Sequence, residues 1–159
     1  MALSQSIVGT HYRYPDSYAV EREKIREYAK AVQNEDPSFF SEEAAAELGY
    51  AGLPTPLTFI SVFSYRAQRA FFDDANIGIT DRQIVQIDQQ LKFLAPIQAG
   101  DELHCDVYLH SVREAHGTDI IVTKNIITNQ DGQVVQEAYT TLAGRSEENG
   151  ESGFNDGTA

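Results

Sequence analysis

The stretch VQNEDPSFFSEEAA, residues 32–45, gathers the side chains best suited to chemistry: Asn34, Asp36 and Pro37 close together, then Phe39 and Phe40. An amide and a carboxylate this close can bind and orient water. Moving a proton near neutral pH asks for more, and histidine is the usual carrier. The four histidines, His11, His104, His110 and His116, all lie elsewhere and lack metal-ligand spacing. The single Cys105 cannot form an internal disulfide, and no metal-ligating partners accompany it. No dinucleotide fingerprint, phosphate-binding loop or nucleophile elbow occurs. Neither a cofactor nor a metal is expected. The stretch reads as a catalytic-type loop or as a turn between helices.

The elements that must position it are legible. SIVGTHYRYP reads as a strand stopped by Pro15, and YAVEREKIREYAKAVQ as an amphipathic helix with Val20, Ile25, Tyr28, Ala29 and Val32 along one face. SEEAAAELG starts at Ser41 as an N-cap, carries acids in its first turn and ends at Gly49. In YAGLPTPLTFISVFSYRAQRAFFDDA, Pro54 and Pro56 keep the preceding residues out of a helix interior. Leu57 to Phe72 is then apolar around nearly its whole circumference and is expected to be buried on most sides. QIVQIDQQLKFLAPI, ELHCDVYLHSV, TDIIVTKNIITN and QVVQEAYTTLAG read as long strands. In the second of these Leu103, Cys105, Val107 and Leu109 point to one face. Ala99-Gly100-Asp101, His116-Gly117 and Asp131-Gly132 are turn signals. The simplest packing is α+β, an antiparallel sheet wrapped around the buried central helix, which is the hot-dog architecture.

The chain of 159 residues, 42% of them hydrophobic, suits one domain, expected over residues 4–145. Residues 146–159 are acidic and Gly-rich, with Phe154 alone to bury, and read as a disordered tail. A net charge of −12 argues against nucleic-acid binding. No apolar run approaches a membrane span, the amino end lacks the pattern of a signal peptide, and a reduced, cytoplasmic setting is expected.

The order of elements, the NEDPSFF loop and the AGLPTPLTF stretch together resemble the MaoC-like, R-specific enoyl hydratase and dehydratase family. Its members carry a loop of the form G-D-x-N-P-[LI]-H after the first helix, then a Gly/Pro-rich stretch leading into the central helix. Laid on that loop, Gln33 falls at the Gly, Asn34 at the catalytic Asp, Asp36 at the Asn, Pro37 at the Pro and Phe39 at the catalytic His. Phe cannot transfer a proton, and Asn cannot serve as a base. The resemblance therefore implies a catalytic-type loop without its catalysts.

It further implies a non-catalytic subunit of a heterodimeric (3R)-hydroxyacyl-ACP dehydratase, a hydro-lyase of type II fatty acid and mycolic acid elongation. A hot-dog partner would supply the Asp and His, and acyl carrier protein would deliver a long-chain acyl thioester. The candidate substrate-binding residues are Phe39, Phe40, Gly52, Pro54, Thr55, Pro56, Phe59, Ser61 and Tyr65. Each also has a plainer reading. Asn34 can be a relic of the site or a helix C-terminal residue, and Asp36 a turn or cap former. Phe39 and Phe40 read first as packing residues. Ser61 and Tyr65 read first as polar groups satisfied in the core, and Cys105 as buried and inert. An apolar tunnel would favour long chains, at about 0.8 kcal/mol for each buried methylene. The other readings are a homodimeric acyl-thioester-binding protein and a hot-dog thioesterase. The second is weakened because Leu57 to Phe72 contains no acid. Two strands, Gln83 to Pro96 and Glu102 to Val112, are candidates for an edge shared with a partner.

Overall fold

The computed structural model describes residues 5–75 and 85–145. Six strands form an antiparallel sheet. They are β1 (His11–Arg13), β2 (Tyr18–Ala19), β3 (Val85–Phe93), β4 (Glu102–Ala115), β5 (Thr118–Thr128) and β6 (Val134–Arg145). The order is β1-β4-β5-β6-β3, with β2 also pairing β4. Three helices, α1 (Arg22–Ala31), α2 (Glu42–Glu47) and α3 (Ser61–Asp74), fall between β2 and β3. Phe63, Ala67, Phe71 and Phe72 of α3 pack into one core with Leu103, Cys105, Val107 and Leu109 of β4 and Ile121 and Ile127 of β5. This is the expected hot-dog arrangement, a sheet carrying a central helix on its inner face.

Local chemistry sets the boundaries. The Ser41 side chain caps α2 by accepting from Ala44 N, and Gly49 leaves it at φ 88°. The β4–β5 hairpin turns on His116 (φ 53°) and Gly117 (φ 73°), the two left-handed residues of a type I′ turn. At the β5–β6 turn, Asn129 Oδ1 accepts from Asp131 N and Gln133 N. On β4 the inward set Leu103, Cys105, Val107 and Leu109 is buried as the alternation requires.

Four expectations are corrected. The first strand is only three residues long, because Gln5–Ile7 form a 3₁₀ turn and Gly9 takes φ 90°. Tyr18–Ala19 are extended and pair with Leu103 and Glu102, so the first helix begins at Arg22 rather than Tyr18. The central helix begins at Ser61, not Leu57. Residues 57–60 wind tightly, with Phe59 N donating to Pro56 O and Ser61 N to Thr58 O, the three-residue spacing common where a helix starts. It is buried along one face rather than on most sides. Ser61, Tyr65, Arg66 and Arg69 are exposed, Tyr65 by 63%, and so is Leu57 before the helix, by 68%. The apolar circumference exceeds what one sheet can cover.

The two strands named as candidates for a shared edge differ in position among the described residues. β4 lies inside the sheet, between β1 and β5, whereas β3 pairs only with β6. Positions 83 and 84 of that expected strand, and the expected tail, lie outside the described residues. Val85, Ile87, Phe93 and Leu94 on and beside β3 are about half exposed.

Candidate functional site

The loop after α1 is built by backbone geometry. α1 closes with Gln33 N donating to Lys30 O at 3.0 Å and Asn34 N to Ala29 O at 2.8 Å, a Schellman arrangement. It places Gln33 at φ 58°, in the left-handed region that glycine occupies most readily. This accounts for the Gly at the matching position of the family loop. Asn34 Oδ1 then accepts from Asp36 N at 3.1 Å. Asp36 caps a 3₁₀ turn, Pro37–Phe39, accepting from Ser38 Oγ at 2.7 Å and Ser38 N at 2.9 Å. Those bonds hold the Asp36 carboxyl below its ordinary pKa, the hydroxyl contributing most. Arg26 donates to Phe40 O through Nε and a terminal guanidinium nitrogen at 3.1 and 3.0 Å. Asp36 is thus a turn and cap former, as its plainer reading has it. A carboxylate held in its charged form by two donors makes a poor proton donor.

Phe39 and Phe40 are half-buried, and Phe39 packs against the core. No histidine stands in this loop. His11 pairs with Asp106 and stacks on Tyr108, with ring centroids 4.5 Å apart. His104 and His110 are on β4, and His116 is in its hairpin turn. Cys105 is fully buried, and burial pushes its thiol up to about 12, with Asp106 adding to the effect. Among the described residues, no cluster of side chains could hold a metal ion and no helix is long and apolar enough to cross a membrane.

The Gly/Pro-rich segment is zipped to residues 97–99. Ala99 N donates to Leu53 O and Thr55 N to Ile97 O, both at 2.8 Å, and Ala51 N donates to Gln98 Oε1 at 3.1 Å. Gly52 is required by close approach, because a Cβ there would stand 2.8 Å from Ala99 O. Beyond Pro56, Tyr28 Oη donates to Thr58 at 2.9 Å and lies 3.3 Å from Ser61 Oγ, tying α1 to the start of α3.

This segment forms one wall of a cavity of about 310 Å³. Tyr50, Pro54, Thr55 and Leu57 face Phe93 to Ile97, and Gln136 of β6 completes the lining. Of the sequence-predicted residues, Pro54 and Thr55 therefore share a cavity. Gly52 and Pro56 hold its wall in place, and Phe59 is buried beneath the rings of Tyr18 and Tyr28. The core reading of Ser61 and Tyr65 is corrected. Ser61 is exposed, its hydroxyl donating to Thr58 O at 2.9 Å. Tyr65 borders a shallow hollow with Gln68, Arg69, Phe72 and Asp73. Both lie on the flank that the sheet does not cover.

The sequence reading missed Tyr50, Leu57, Leu94, Ile97 and Gln136. It also missed a polar row under α3, where Thr123 Oγ1 donates to Gln68 Oε1 at 3.1 Å and Asn125 Nδ2 donates to Ser64 O at 3.2 Å. Strand alternation was the available signal. Thr123, Asn125, Gln136 and Thr140 fall in register with inward apolar residues.

Comparison with known proteins agrees with this geometry. Residues 6–138 match the family model described as FAS1-like, dehydratase domain region. A UPF0336 protein of Mycobacterium leprae is 70% identical over 159 residues, all of both chains. Another, from Mycobacterium tuberculosis strain H37Rv, is 50% identical over 145 residues, 91% of this chain and 87% of its own. Among solved structures, the C-terminally truncated HadBC (3R)-hydroxyacyl-ACP dehydratase complex of Mycobacterium tuberculosis contains a chain 49% identical to this one. The TM-score is 0.81, over 87% of this chain and 97% of that one. A MaoC-like dehydratase is 39% identical, with a TM-score of 0.83 over 89% of this chain, which spans only 43% of that longer protein. Sequence match and fold together show that the chain belongs to the family of FAS1-like dehydratase-region, MaoC-like hot-dog domains.

Proposed function

We propose that this chain is the non-catalytic, acyl-chain-binding subunit, of the HadA type, of a heterodimeric (3R)-hydroxyacyl-ACP dehydratase in type II fatty acid and mycolic acid elongation. One observation carries the reading. The loop keeps the family's turn while its two catalytic positions hold Asn34 and Phe39. Removing the C2 proton and expelling the C3 hydroxyl need a base and an acid, and Asn34 and Phe39 at the two matched positions supply neither. A partner hot-dog chain with Asp and His in its own loop supplies both.

The likeness to a chain of the HadBC complex supports a subunit role. So does β3, whose exposed edge and half-exposed apolar side chains invite strand pairing. Exposed Tyr65, Arg66 and Arg69 on α3 extend the same uncovered flank. In this reading the cavity behind Pro54 and Thr55 receives part of the acyl chain, while Phe39 and Phe40, which do not line it, pack the loop. Acyl carrier protein, itself acidic, docks mainly on the partner, because this chain carries −12 overall and offers small local basic pairs such as Arg66 and Arg69. The complex works in the cytoplasm.

The test is a hydratase and dehydratase assay on enoyl and 3-hydroxyacyl thioesters, using the chain alone and co-expressed with a catalytic hot-dog partner. The reading expects no turnover alone, and turnover by a one-to-one complex. A monodisperse homodimer that ignores the partner would overturn it in favour of a homodimeric acyl-thioester-binding protein. Turnover by the chain alone would overturn the non-catalytic role.

A further inference from the structure

Gln136 sits where an apolar lining is interrupted. It is 2% exposed, and its Nε2 meets no hydrogen-bond acceptor among the described residues. Its neighbours in the inward row are Phe93 on β3 and Ile127 on β5, both apolar. The cavity wall around it is formed by Tyr50, Pro54, Thr55, Leu57 and residues 93–97, apolar but for the hydroxyls of Tyr50 and Thr55. An amide N–H withdrawn from water without an acceptor is costly. One that lines a ligand-sized cavity recovers that cost when the ligand brings an oxygen to it.

A second unpartnered amide atom lies close by in register. Asn125 pairs across the strands with Ala138, and Ile127 pairs with Gln136, so Asn125 is the diagonal neighbour of Gln136. Its Nδ2 is used by Ser64 O, whereas its Oδ1 has no donor among the described residues. Diagonal neighbours on paired strands are roughly 7–8 Å apart, within reach of long side chains. The inner face therefore holds a donor and an acceptor side by side, Gln136 on the cavity lining and Asn125 outside it, and a plain hydrocarbon chain could not satisfy Gln136.

We infer that Gln136 is a specificity-determining residue. Its Nε2 donates to an oxygen, keto or hydroxyl, carried along the acyl chain of the ligand, so the cavity selects oxygen-bearing chains over plain alkyl chains. The apolar residues around the amide place hydrocarbon on either side of that oxygen, which distinguishes it from the thioester and its polar pantetheine arm. This inference rests on the acyl-binding reading above and goes beyond it to the class of chain bound.

The experiment measures binding of lauroyl-pantetheine and of mono-oxo lauroyl-pantetheines, with the ketone moved stepwise along the chain. The protein is the full chain, in complex with its catalytic partner where that complex forms. In the unaltered protein, one ketone position should bind about tenfold tighter than the plain chain, the scale of one buried hydrogen bond. Gln136→Leu should abolish that peak, bringing the ratio of the best ketone's affinity to plain lauroyl's down to about one. Gln136→Met, of similar volume, replaces the Leu variant if the latter does not fold. A flat profile in the unaltered protein, with plain lauroyl still bound, overturns this inference alone and assigns the amide to a buried water. Equal weakening of every probe by the substitution places Gln136 at the thioester and overturns it too. If no probe binds at all, the acyl-binding reading fails with it.

Discussion

Gly52→Ala is the most direct probe of how the cavity wall is held. The added methyl would stand 2.8 Å from Ala99 O and 3.5 Å from Ala99 Cβ. A tolerable carbon–oxygen contact is roughly 3.3–3.6 Å, so the two segments must part by about 0.5–0.8 Å. Neither can yield freely. Ala99 N to Leu53 O and Thr55 N to Ile97 O are both 2.8 Å bonds, and Leu53 and Pro54 beside them are buried. Stretching two backbone hydrogen bonds at about 1 kcal/mol each, with some strain in the buried neighbours, gives about 2–3 kcal/mol. For a domain of this size, each kcal/mol moves Tm by about 2–4 °C, so a drop of roughly 5–10 °C is expected.

Gly49→Ala is the matched control. Gly49 has φ 88° and nothing within 4 Å of its would-be Cβ, so only backbone strain of about 1 kcal/mol applies. Scanning calorimetry of both variants against the parent decides the matter. If Gly52→Ala is no more destabilising than Gly49→Ala, the close approach does not hold the wall and the reasoning fails.

Gln33→Gly should stabilise the chain by about 0.5–1 kcal/mol in urea unfolding, because it relieves a left-handed non-glycine residue and gives back part of the gain as unfolded-chain entropy. Asp36 should titrate below the ordinary carboxylate range by carboxyl NMR, and Ser38→Ala should return it towards that range. Because the folded-state pKa is depressed, the associated stability is present above the unfolded pKa and is lost as pH falls through the folded one. Ser38→Ala should accordingly flatten the acid limb of the stability curve, and an unchanged limb would refute the coupling. Cys105, with its thiol pushed up to about 12, should resist thiol reagents at mildly alkaline pH until the chain is unfolded. Rapid labelling of folded protein would contradict its burial.

Much of the fold could be read wherever one physical signal decided the outcome. Alternation placed Leu103, Cys105, Val107 and Leu109 inward because β4 has one buried face. Ser41 and Gly49 bounded α2 because capping is a local matter. Other features depend on tertiary contact. Tyr18 and Ala19 look helical by composition yet are drawn into pairing with Leu103 and Glu102, which are distant in sequence. The inner face of β5 and β6 carries Thr123, Asn125, Gln136 and Thr140, where a polar residue ordinarily marks the outside. Half of the site wall comes from Phe93 to Ile97, which approach Thr55 and Leu57 only after the chain has folded. The apolar circumference of the central helix was legible, but not which flank the sheet leaves uncovered.

On the function proposed above, the loop's framework explains how catalysts can be absent while the fold that presents them is kept. Its shape comes from Gln33 in the left-handed region, Asp36 capping the turn at Ser38, Pro37 opening the 3₁₀ turn and Arg26 holding Phe40 O. Neither matched catalytic position is indispensable to that framework. Asn34 adds one bond to Asp36 N, and Phe39 adds apolar packing against the core. Where the family places a histidine that must stay hydrated enough to exchange a proton, a phenylalanine half-buried against the core gains hydrophobic stabilisation. Such an exchange is neutral or favourable for folding and disabling for chemistry. Under the proposed function, the chemistry comes from outside the loop. Among the described residues, the β3 edge with Val85, Ile87, Phe93 and Leu94 and the α3 flank with Tyr65 are two surfaces that could receive such a supplier.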